Sequence, residues 1–377
     1  MRIVVAPDKF KGCLAAREVA AAIAAGIRRA DPSAVIGQIA MADGGEGTVD
    51  ALVAATGGRF VTRTVTGPLP GTRVNATYGM LGDGRTAVIE MAAASGLALL
   101  RPEERNPERT TTYGTGELIL SAGAERIILG IGGSATTDGG LGCAQACGVR
   151  FEMSDGTIRT TGQAPLTGGD LANVRRTVIA RSVIGGAIRV ACDVDNPLYG
   201  PRGAARVFGP QKGATPEQVE RLDAALERLA SIVDAREVAS VAGAGAAGGL
   251  GFGLMAFLKA RLDGGFAIVA EAVGLRERLA GADLVITGEG RLDASSLGGK
   301  TAVGVGRVCR ELGVPCVALV GGVGGGADRA LAEGLSAYFS VCDRPMTLDE
   351  SMRNARELIA RAAENVIRTM RLGQDSC

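Results

Sequence analysis

The chain repeats one local pattern, in which a short apolar segment leads into a glycine-rich acidic loop and then into a helix. The first repeat begins with Ile3-Val4-Val5-Ala6 and Asp8. It continues into a helix whose apolar residues recur at four-residue spacing, namely Val19, Ile23 and Ile27. The second repeat joins the apolar segment 35–41 to the loop 42–47 and to a helix from about Thr48. Strand, loop and helix in this order are typical of βαβ units, so we predict an α/β fold with parallel strands.

The alternation is interrupted in the middle of the chain, which at 377 residues exceeds the roughly 250–300 residues that one hydrophobic core serves. From about Phe60, threonine and valine favour strands on both sides of a turn at 67–71. We predict a doubly wound parallel-sheet domain built from residues 1–60 and 283–377, where the regular alternation returns. A large mixed α/β domain, residues 61–282, is inserted into it, and the active site is expected in the interdomain cleft.

Two predicted helices begin with the residues of a capping box. Thr215 and Gln218 frame one start, with a proline in the first turn between them. Thr347 and Glu350 frame the start of the last helix. We predict one continuous helix there, which carries the apolar residues Met352, Ile359, Val366 and Ile367.

The composition excludes several classes of protein. Histidine is absent, which excludes Ser-His-Asp and Cys-His catalysis and metal sites that need imidazole. Lysine and arginine total 41 against 40 acidic residues, so no global charge attracts nucleic acid or anionic lipid. The eight cysteines form no C-x-x-C pair, and we interpret them as reduced, mostly core residues. Proton transfer must therefore use a carboxylate, lysine, tyrosine or cysteine.

The sequence also bears on location and partners. No run approaches the ~18 consecutive apolar residues of a membrane-spanning helix, so no membrane partner is predicted. The apolar N-terminal stretch is too short for a signal peptide and ends in charged residues. These features predict a soluble, cytoplasmic protein that binds small molecules, and they leave a homodimer open.

The 58 glycines cluster between apolar segments, where backbone N–H groups can approach a ligand closely. The most informative cluster follows the apolar segment 127–131 and precedes a helix, which is typical of an anion-binding loop. Its candidate phosphate-binding residues are Gly132, Gly133, Ser134, Thr137 and Asp138. The alternative interpretation is a tight turn in which Asp138 caps the following helix.

The segment 288–293 follows a predicted core strand directly, which places two carboxylates and a guanidinium at the carboxyl edge of the sheet. The carboxylates belong to Glu289 and Asp293. Arg291 is suited to a two-pronged bond with a substrate carboxylate because its guanidinium is planar. The alternative is a structural surface pair between Arg291 and one of the two acids.

Further acids and lysines lie beside turns. Asp193 and Asp195 supply the oxygen ligands that Mg²⁺ prefers, although an Asx-turn before Pro197 explains them equally. Lys11 and Lys212 stand beside glycines, an arrangement suited to binding the charge of a phosphate. Lone lysines, however, are ordinarily solvated surface residues. The number of such segments in one chain favours a phosphate-handling site.

Two nucleotide-binding fingerprints are incomplete. Residues 243–248 match G-x-G-x-x-G, but no strong strand precedes them. Residues 294–301 end in Gly299-Lys300-Thr301 like a P-loop, but alanine replaces the first glycine of that motif. Neither motif by itself identifies a nucleotide site, and Lys300 stays a candidate for contact with phosphate.

Taken together, these segments resemble the bacterial type-1 glycerate kinase family over nearly the whole chain. The matching blocks, in order, are APDKFKG (6–12), MADGGEGT (41–48), EMAAASG (90–96), RNPERTTTYGTGEL (105–118), GIGGSATTDGG (130–140), ACDVDNPL (191–198), VFGPQKGAT (207–215), GAGAAGGLG (243–251) and VITGEGRLD (285–293). The sequence departs from the usual family pattern at Lys9, at Thr137 and at Ala294-Ser295-Ser296.

The resemblance implies a flavodoxin-like domain interrupted by a second α/β domain. It implies ATP-dependent phosphorylation of D-glycerate to 2-phosphoglycerate and ADP, although the 3-phospho reaction is also attributed to members. ATP as a substrate and Mg²⁺ are the implied cofactors. Residue types cannot choose between the two hydroxyl groups of glycerate.

The residues and the resemblance together predict the following site. For catalysis we predict Asp8, Lys11, Asp193 and Glu289. For substrate binding we predict Asp43, Glu46, Ser95, Arg291 and Asp293. For the nucleotide phosphates we predict Gly132, Gly133, Ser134, Thr137, Asp138, Lys212 and Lys300, and for the metal Asp193 and Asp195.

The proton acceptor and the reaction class both have alternatives. Asp193 is favoured as the general base, with Asp8, Asp43 and Glu289 as competitors, because acid–base roles depend first on geometry. A non-catalytic sensor of sugar acids would keep the fold and glycine loops without transferring phosphate. A dinucleotide-dependent oxidoreductase acting on a hydroxy acid is the second alternative, suggested by residues 243–248.

Overall fold

The computed structural model describes residues 1–178 and 187–372. Its strands are β1 (Arg2–Val5), β2 (Val35–Gln38), β3 (Arg59–Thr66), β4 (Arg73–Met80), β5 (Thr86–Glu90), β6 (Arg126–Gly130), β7 (Arg150–Met153), β8 (Ile158–Arg159), β9 (Val174–Val178), β10 (Ala187–Ala191), β11 (Arg261–Asp263), β12 (Leu284–Leu292), β13 (Cys316–Val323) and β14 (Ala337–Ser340). Its α-helices are α1 (Ala16–Ala30), α2 (Thr48–Thr56), α3 (Ala92–Ser95), α4 (Tyr113–Ala122), α5 (Leu141–Ala146), α6 (Ala204–Phe208), α7 (Pro216–Ile232), α8 (Arg236–Ser240), α9 (Ala246–Leu258), α10 (Gly265–Ala272), α11 (Leu275–Leu279), α12 (Thr301–Leu312), α13 (Arg329–Ala332), α14 (Leu348–Arg353) and α15 (Ala355–Leu372).

The contacts within the chain divide it into two compact units. Unit 1 comprises Met1–Asp43, Asp50–Thr56 and the described residues from Phe266 onward, and unit 2 comprises Gly44–Val49 and the described residues of Gly57–Gly265. The predicted return to the first domain lies at residue 283. By its contacts the chain returns to unit 1 at Phe266, whose ring packs against Gly304 of α12.

Unit 1 holds a five-stranded parallel sheet in the order β2-β1-β12-β13-β14. Counted within the unit this order is 2-1-3-4-5, the flavodoxin-like arrangement. Its direction of winding reverses between β1 and β12, and ligands of such folds bind outside the carboxyl ends of the strands at that point. The predicted α/β class and its doubly wound sheet are confirmed.

The helix predicted from the first apolar stripe is α1, and it ends where expected, with Asp31 as its C-cap. Val19, Ile23 and Ile27 are fully buried in the core of unit 1, together with Ile359 and Ile367 of α15. The last helix was predicted as one piece, but the structure has two, α14 and α15. Asn354 ends the first of them, since its side-chain amide donates to the Glu350 carbonyl.

Unit 2 holds a six-stranded sheet in the order β11-β10-β6-β5-β4-β3 and a three-stranded antiparallel sheet in the order β8-β7-β9. In the larger sheet β5, β6, β10 and β11 run parallel, whereas β3 and β4 form an antiparallel hairpin around the predicted turn. The capping box predicted for α7 is confirmed, with Thr215 accepting from the Gln218 backbone. The larger sheet of this unit thus combines parallel and antiparallel strands, and the unit contains both helices and strands, as expected for an α/β domain.

Seven cysteines are free thiols, and four of them are buried, namely Cys143, Cys147, Cys309 and Cys316. The eighth, Cys377, lies outside the described residues. Among the helices of residues 1–178 and 187–372, none has the length and apolarity needed to cross a bilayer.

Candidate active site

In unit 1, Asp8 lies at the switch point of the sheet, just beyond the carboxyl end of β1. Its backbone N–H donates to the Gly288 carbonyl of β12 at 2.8 Å, which ties the loop to the neighbouring strand. Its carboxylate accepts from the Lys9 backbone N–H at 2.7 Å and from the Thr301 hydroxyl at 2.7 Å. Only 7% of Asp8 is exposed, so these two donors replace most of the water that the carboxylate has lost.

Glu289 lies on the strand that pairs with β1. A loop after a short strand was predicted for Glu289 and Arg291, but β12 continues through Leu292 and stays paired with β13. Successive side chains of a strand point to opposite faces, so Glu289 and Arg291 share a face of β12. Glu289 is 6% exposed, and its Oε1 atom has no hydrogen-bond partner within the described residues.

Burial controls the protonation of both acids. It raises the pKa of Asp8 from its ordinary 3.8 to about 6, and the nearby charge of Asp43 adds to the rise. It raises the pKa of Glu289 from 4.5 to about 7, against the opposing effects of a hydrogen bond from Ser296 and the charge of Lys300. Acids whose pKa lies near neutrality are typical of sites that transfer protons. The structure thus brings together three predicted residues: Asp8, Asp43 and Glu289.

Arg291 and Asp293 form the more exposed part of this edge. The guanidinium of Arg291 is 71% exposed and donates through Nε to Asp293 at 3.0 Å. Asp293 also accepts from the backbone and hydroxyl of Ser295, and these bonds lower its pKa. The surface pair that the sequence analysis kept as an alternative is therefore present. The terminal nitrogens of Arg291 remain the part of its fork that can reach a carboxylate.

The P-loop-like ending of this segment has a different use here. The Lys300 ammonium donates to the Ser295 hydroxyl at 2.8 Å, and Thr301 begins α12 and donates to Asp8. Lys11, the other predicted lysine of unit 1, is exposed on the loop after β1. Both lysines stay predicted phosphate contacts.

In unit 2, the carboxyl ends of three neighbouring parallel strands are in register. Gly130 of β6 pairs with Glu90 of β5 on one side and with Ala191 of β10 on the other. The loops that follow these strands therefore start side by side at one edge of the sheet. They carry the predicted residues Ser95, Gly132, Gly133, Ser134, Asp193 and Asp195.

The segment Gly44–Val49 belongs to the same edge. The Val49 backbone N–H donates to the Glu90 carboxylate at 3.0 Å, and Gly44 lies against Ala191. Glu46 is thus an exposed residue of unit 2, whereas Asp43 belongs to unit 1. Two acids that the sequence places three residues apart lie in different units, which the motif gave no means to foresee.

The glycine loop 131–140 is divided into an exposed and a buried part. Gly132 and Gly133 are exposed, so their backbone can approach a ligand. Asp138 is fully buried and accepts from Thr112 and from the backbone N–H groups of Gly140 and Gly142. It therefore binds N–H groups of the tight turn that leads into α5, whose N-cap residue is Gly140. Burial raises the pKa of Asp138 while these bonds oppose the rise. Nothing in this geometry directs its carboxylate at a phosphate.

Ser95 is also used inside the protein, since its hydroxyl shares a hydrogen bond of 3.0 Å with Thr115. Its carbonyl accepts from the Ala135 backbone at 2.9 Å, which joins the loop after β5 to the glycine loop. Ser95 is fully buried, so its contact with substrate stays a prediction that the hydrogen bonds do not favour.

Lys212 is placed beneath the glycine loop. Only 2% of it is exposed, and its ammonium donates to the Thr136 carbonyl at 2.6 Å. Burial lowers the pKa of Lys212 to about 7, while the charge of Asp138 opposes the change. Beside it, the Thr137 hydroxyl is buried without a partner among the described residues. Lys212 therefore supports the loop backbone, and its contact with phosphate stays a prediction.

The G-x-G-x-x-G segment also packs against this loop. Residues Ala247, Gly248 and Gly249 adopt left-handed backbone angles at the start of α9. The Gly139 N–H donates to the Gly248 carbonyl at 3.0 Å. The element before the motif is the helix α8, so the strand–loop–helix context of a dinucleotide site is absent from this part of the described chain. The glycines serve close packing of two backbone segments.

The residues predicted for the metal lie after β10. Asp193 is exposed and accepts from the Gly265 N–H at 2.8 Å, whereas Asp195 pairs with Arg202 at 2.6 Å. Within the described parts of the chain, no three acidic or cysteine side chains are grouped to hold a metal by themselves. Mg²⁺ in phosphoryl-transfer sites commonly takes one or two carboxylates and completes its shell with phosphate and water, which Asp193 fits. Asp195 fits less well because Arg202 already neutralises it.

Two residues that the sequence analysis did not select contact the acids of unit 1. They are Ser296, which bonds Glu289, and Thr301, which bonds Asp8. Both are fully buried. The only signal in the sequence was the Gly-Lys-Thr ending at a helix start, which indicates phosphate and not a carboxylate as its partner.

Comparison with known proteins gives a consistent result. The family model described as the glycerate kinase family matches residues 3–371. A glycerate kinase of Halalkalibacterium halodurans is 48% identical over 370 residues, covering 97% of each chain. A glycerate 2-kinase of Escherichia coli is 46% identical over 379 residues, covering 99% of each chain. A crystal structure described as a glycerate kinase 2 of Salmonella typhimurium LT2 has a TM-score of 0.88 at 47% identity, covering 100% of this chain and 99% of that one.

Proposed function

The chain belongs to the glycerate kinase family, and on that premise we propose that it phosphorylates D-glycerate with ATP, giving 2-phosphoglycerate and ADP. The observation that carries the proposal is the pair of buried acids, Asp8 and Glu289, at the switch point of the unit 1 sheet. The 2-hydroxyl is preferred because the similar E. coli protein is a glycerate 2-kinase.

Phosphoryl transfer requires alignment, neutralisation of phosphate charge and a group that receives the hydroxyl proton. We assign the phosphates of ATP to the exposed backbone of Gly132 and Gly133, with Lys300 and Lys11 as sources of positive charge. Ser134 and Thr137 belong to the same loop, and Lys212 holds its backbone through Thr136. None of these roles needs histidine, which the chain lacks.

Glu289 is proposed as the proton acceptor in place of Asp193. A general base works best when its pKa lies near the operating pH, and burial brings that of Glu289 to about 7. One of its oxygens has no partner in the described structure, which is unusual for a buried polar atom and leaves it able to accept a proton. Asp193, by contrast, is exposed and already accepts from Gly265.

Mg²⁺ is proposed as part of the reaction, with Asp193 as the carboxylate that would hold it. When bound, the ion would supply positive charge to the phosphate oxygens of ATP. Asp195 would contribute only after leaving Arg202, so we assign it a secondary role. Glycerate is assigned to Arg291, with Asp43, Glu46, Ser95 and Asp293 kept as candidate contacts.

Arg291→Lys is expected to raise the KM for D-glycerate roughly tenfold with little change in kcat. Lysine keeps the charge but loses the planar fork that binds a carboxylate through two parallel bonds, and uniform loss of substrate binding appears in KM. Steady-state kinetics at saturating ATP measure both constants. Arg276→Lys is the matched control, since Arg276 is an exposed arginine of unit 1 paired with Glu311. An unchanged KM in Arg291→Lys would remove Arg291 from substrate binding.

The proposed reaction is tested by coupled measurement of ADP release with and without D-glycerate. We expect release that depends on D-glycerate, and carbon NMR of the product should show the phosphate on the 2-hydroxyl. No dependence on D-glycerate, with sugar acids still bound, would favour the sensor. Exclusive formation of 3-phosphoglycerate would overturn the regiochemistry alone. Calorimetry showing NAD binding without ATP binding would favour the oxidoreductase.

A further inference from the structure

The hydroxyl of Thr301 joins two distant parts of unit 1. It donates to the Asp8 carboxylate at 2.7 Å across 293 residues of sequence. Thr301 is fully buried and is the first residue of α12, a helix of 12 residues. Asp8 itself is tied to β12 by its backbone and to Lys9 by its other carboxylate oxygen. Two other elements, β12 and α12, therefore hold Asp8, and among the hydrogen bonds of the described residues only the one from Thr301 reaches it from a side chain.

We propose that Thr301 is a positioning residue that holds the Asp8 carboxylate in its reactive place and charge state. The inference rests on the proposed function, in which Asp8 belongs to the catalytic group. A P-loop threonine would direct its hydroxyl at a metal or phosphate, but here the hydroxyl proton is committed to Asp8. A hydrogen bond to a carboxylate favours the ionised form of that carboxylate.

Thr301 matters because burial and two neighbouring acids oppose ionisation of Asp8. Burial disfavours the charge, and Asp43 and Glu289 are acids within electrostatic reach. Lys9 acts in the favourable direction through both its backbone bond and its charge. Without the Thr301 hydroxyl, Asp8 would have one donor left against burial and two neighbouring acids.

The test is the pH dependence of kcat/KM for D-glycerate in Thr301→Val. Valine has nearly the shape of threonine but cannot donate, so the pKa of Asp8 should rise toward that of Glu289. We expect the acid limb of the profile to become steeper and its midpoint to move to higher pH, by less than one unit because Glu289 titrates on the same limb. Thr301→Ser restores the donor and should return the limb toward the wild-type position. A residue needed only for folding would lower kcat/KM at every pH and leave the limb in place, and that result would overturn the inference.

A second measurement guards against misfolding and against failure of the proposed function. Carbon NMR of labelled aspartate carboxyl groups follows Asp8 directly, with Asp8→Asn identifying its signal. Asp8 should titrate at higher pH in Thr301→Val than in the wild type. If Thr301→Val does not fold, Thr301→Ala takes its place in the same measurement. An unchanged Asp8 titration would overturn the inference even in an active enzyme. If the wild type phosphorylates no glycerate but the Asp8 titration still shifts, the proposed function fails and the link between Thr301 and Asp8 stands.

Discussion

Glu289→Gln should lower kcat at pH 7.5 by about 10²- to 10⁴-fold, the range that general acid–base catalysis contributes. Glutamine has nearly the shape of glutamate but cannot accept the hydroxyl proton. The same substitution should raise the free energy of unfolding at pH 8 by roughly 3 kcal/mol, since it removes a charge from a site that is 6% exposed. Loss of activity with gain of stability is the result expected when a residue is kept for chemistry at the expense of folding.

The sign of the stability change follows from the two pKa values. Glu289 has a pKa of about 7 in the folded protein and an ordinary value of 4.5. Below about pH 4.5 it is protonated in both states and contributes nothing. Between about pH 4.5 and 7 the unfolded state releases its proton first, so the native glutamate destabilises the protein increasingly as pH rises. The difference between Glu289→Gln and wild type should therefore grow over that window and stay constant above it.

Urea unfolding at several pH values and steady-state kinetics measure the two effects. Glu311→Gln is the matched control, because Glu311 is an exposed glutamate of unit 1 paired with Arg276, and such pairs contribute about 0–1 kcal/mol. Asp193→Asn tests the rival assignment of the base. If Asp193→Asn abolishes turnover while ATP still binds, and Glu289→Gln stays within tenfold of wild type, Asp193 is the base and our assignment is wrong.

Gly248→Ala should destabilise the protein by roughly 4 kcal/mol or more, or prevent folding. A methyl group at this position would overlap the Thr136 carbonyl and lie 2.6 Å from the Thr137 Cα atom. Both contacts are with backbone, which cannot rotate away as a side chain can. The backbone of Gly248 has a φ of +70°, which adds a further cost for a residue with a side chain.

Gly156→Ala separates these two causes. Gly156 has a φ of +82° but no atom within 4 Å of the added methyl group, so only the backbone cost of about 1–2 kcal/mol applies. Thermal unfolding of both variants, followed by circular dichroism, gives the comparison. Equal destabilisation of the two variants would contradict the close packing of Gly248 against the glycine loop.

The parts of the fold that the sequence predicted well are those with local causes. The stripe of Val19, Ile23 and Ile27 predicted α1, and the pair Thr215 and Gln218 predicted the start of α7. The predictions were wrong where an element's length depends on the neighbouring strand or helix that it pairs with. The strand β12 runs on through two glycines because β13 continues to pair with it, and glycine had been interpreted as a loop signal.

The sequence predicted that the candidate site lies at the carboxyl edge of a parallel sheet, but it did not predict which side chains contact one another there. The sequence predicted Glu289 at the carboxyl edge of a parallel sheet, and the loops that follow parallel strands meet at such an edge, which is where Asp8 lies in unit 1. The sequence placed Lys212 and Asp138 among phosphate ligands, but hydrogen bonds to Thr136 and to the start of α5 use them inside the protein. No pattern of residue types tells whether a lysine lies on the buried side of a loop, where it binds the backbone, or on the exposed side, where it could bind a ligand.

By itself, the sequence determined the order of the elements, the doubly wound class and the excluded chemistries, since periodicity, caps and the absence of histidine act locally or through composition. Only the tertiary structure decided which acids are buried together, which hydroxyl holds Asp8, and which glycines must stay small. These properties depend on neighbours contributed by residues as much as 293 positions away. A group's charge state is set by the solvent that such neighbours exclude, and that exclusion exists only once the chain has folded.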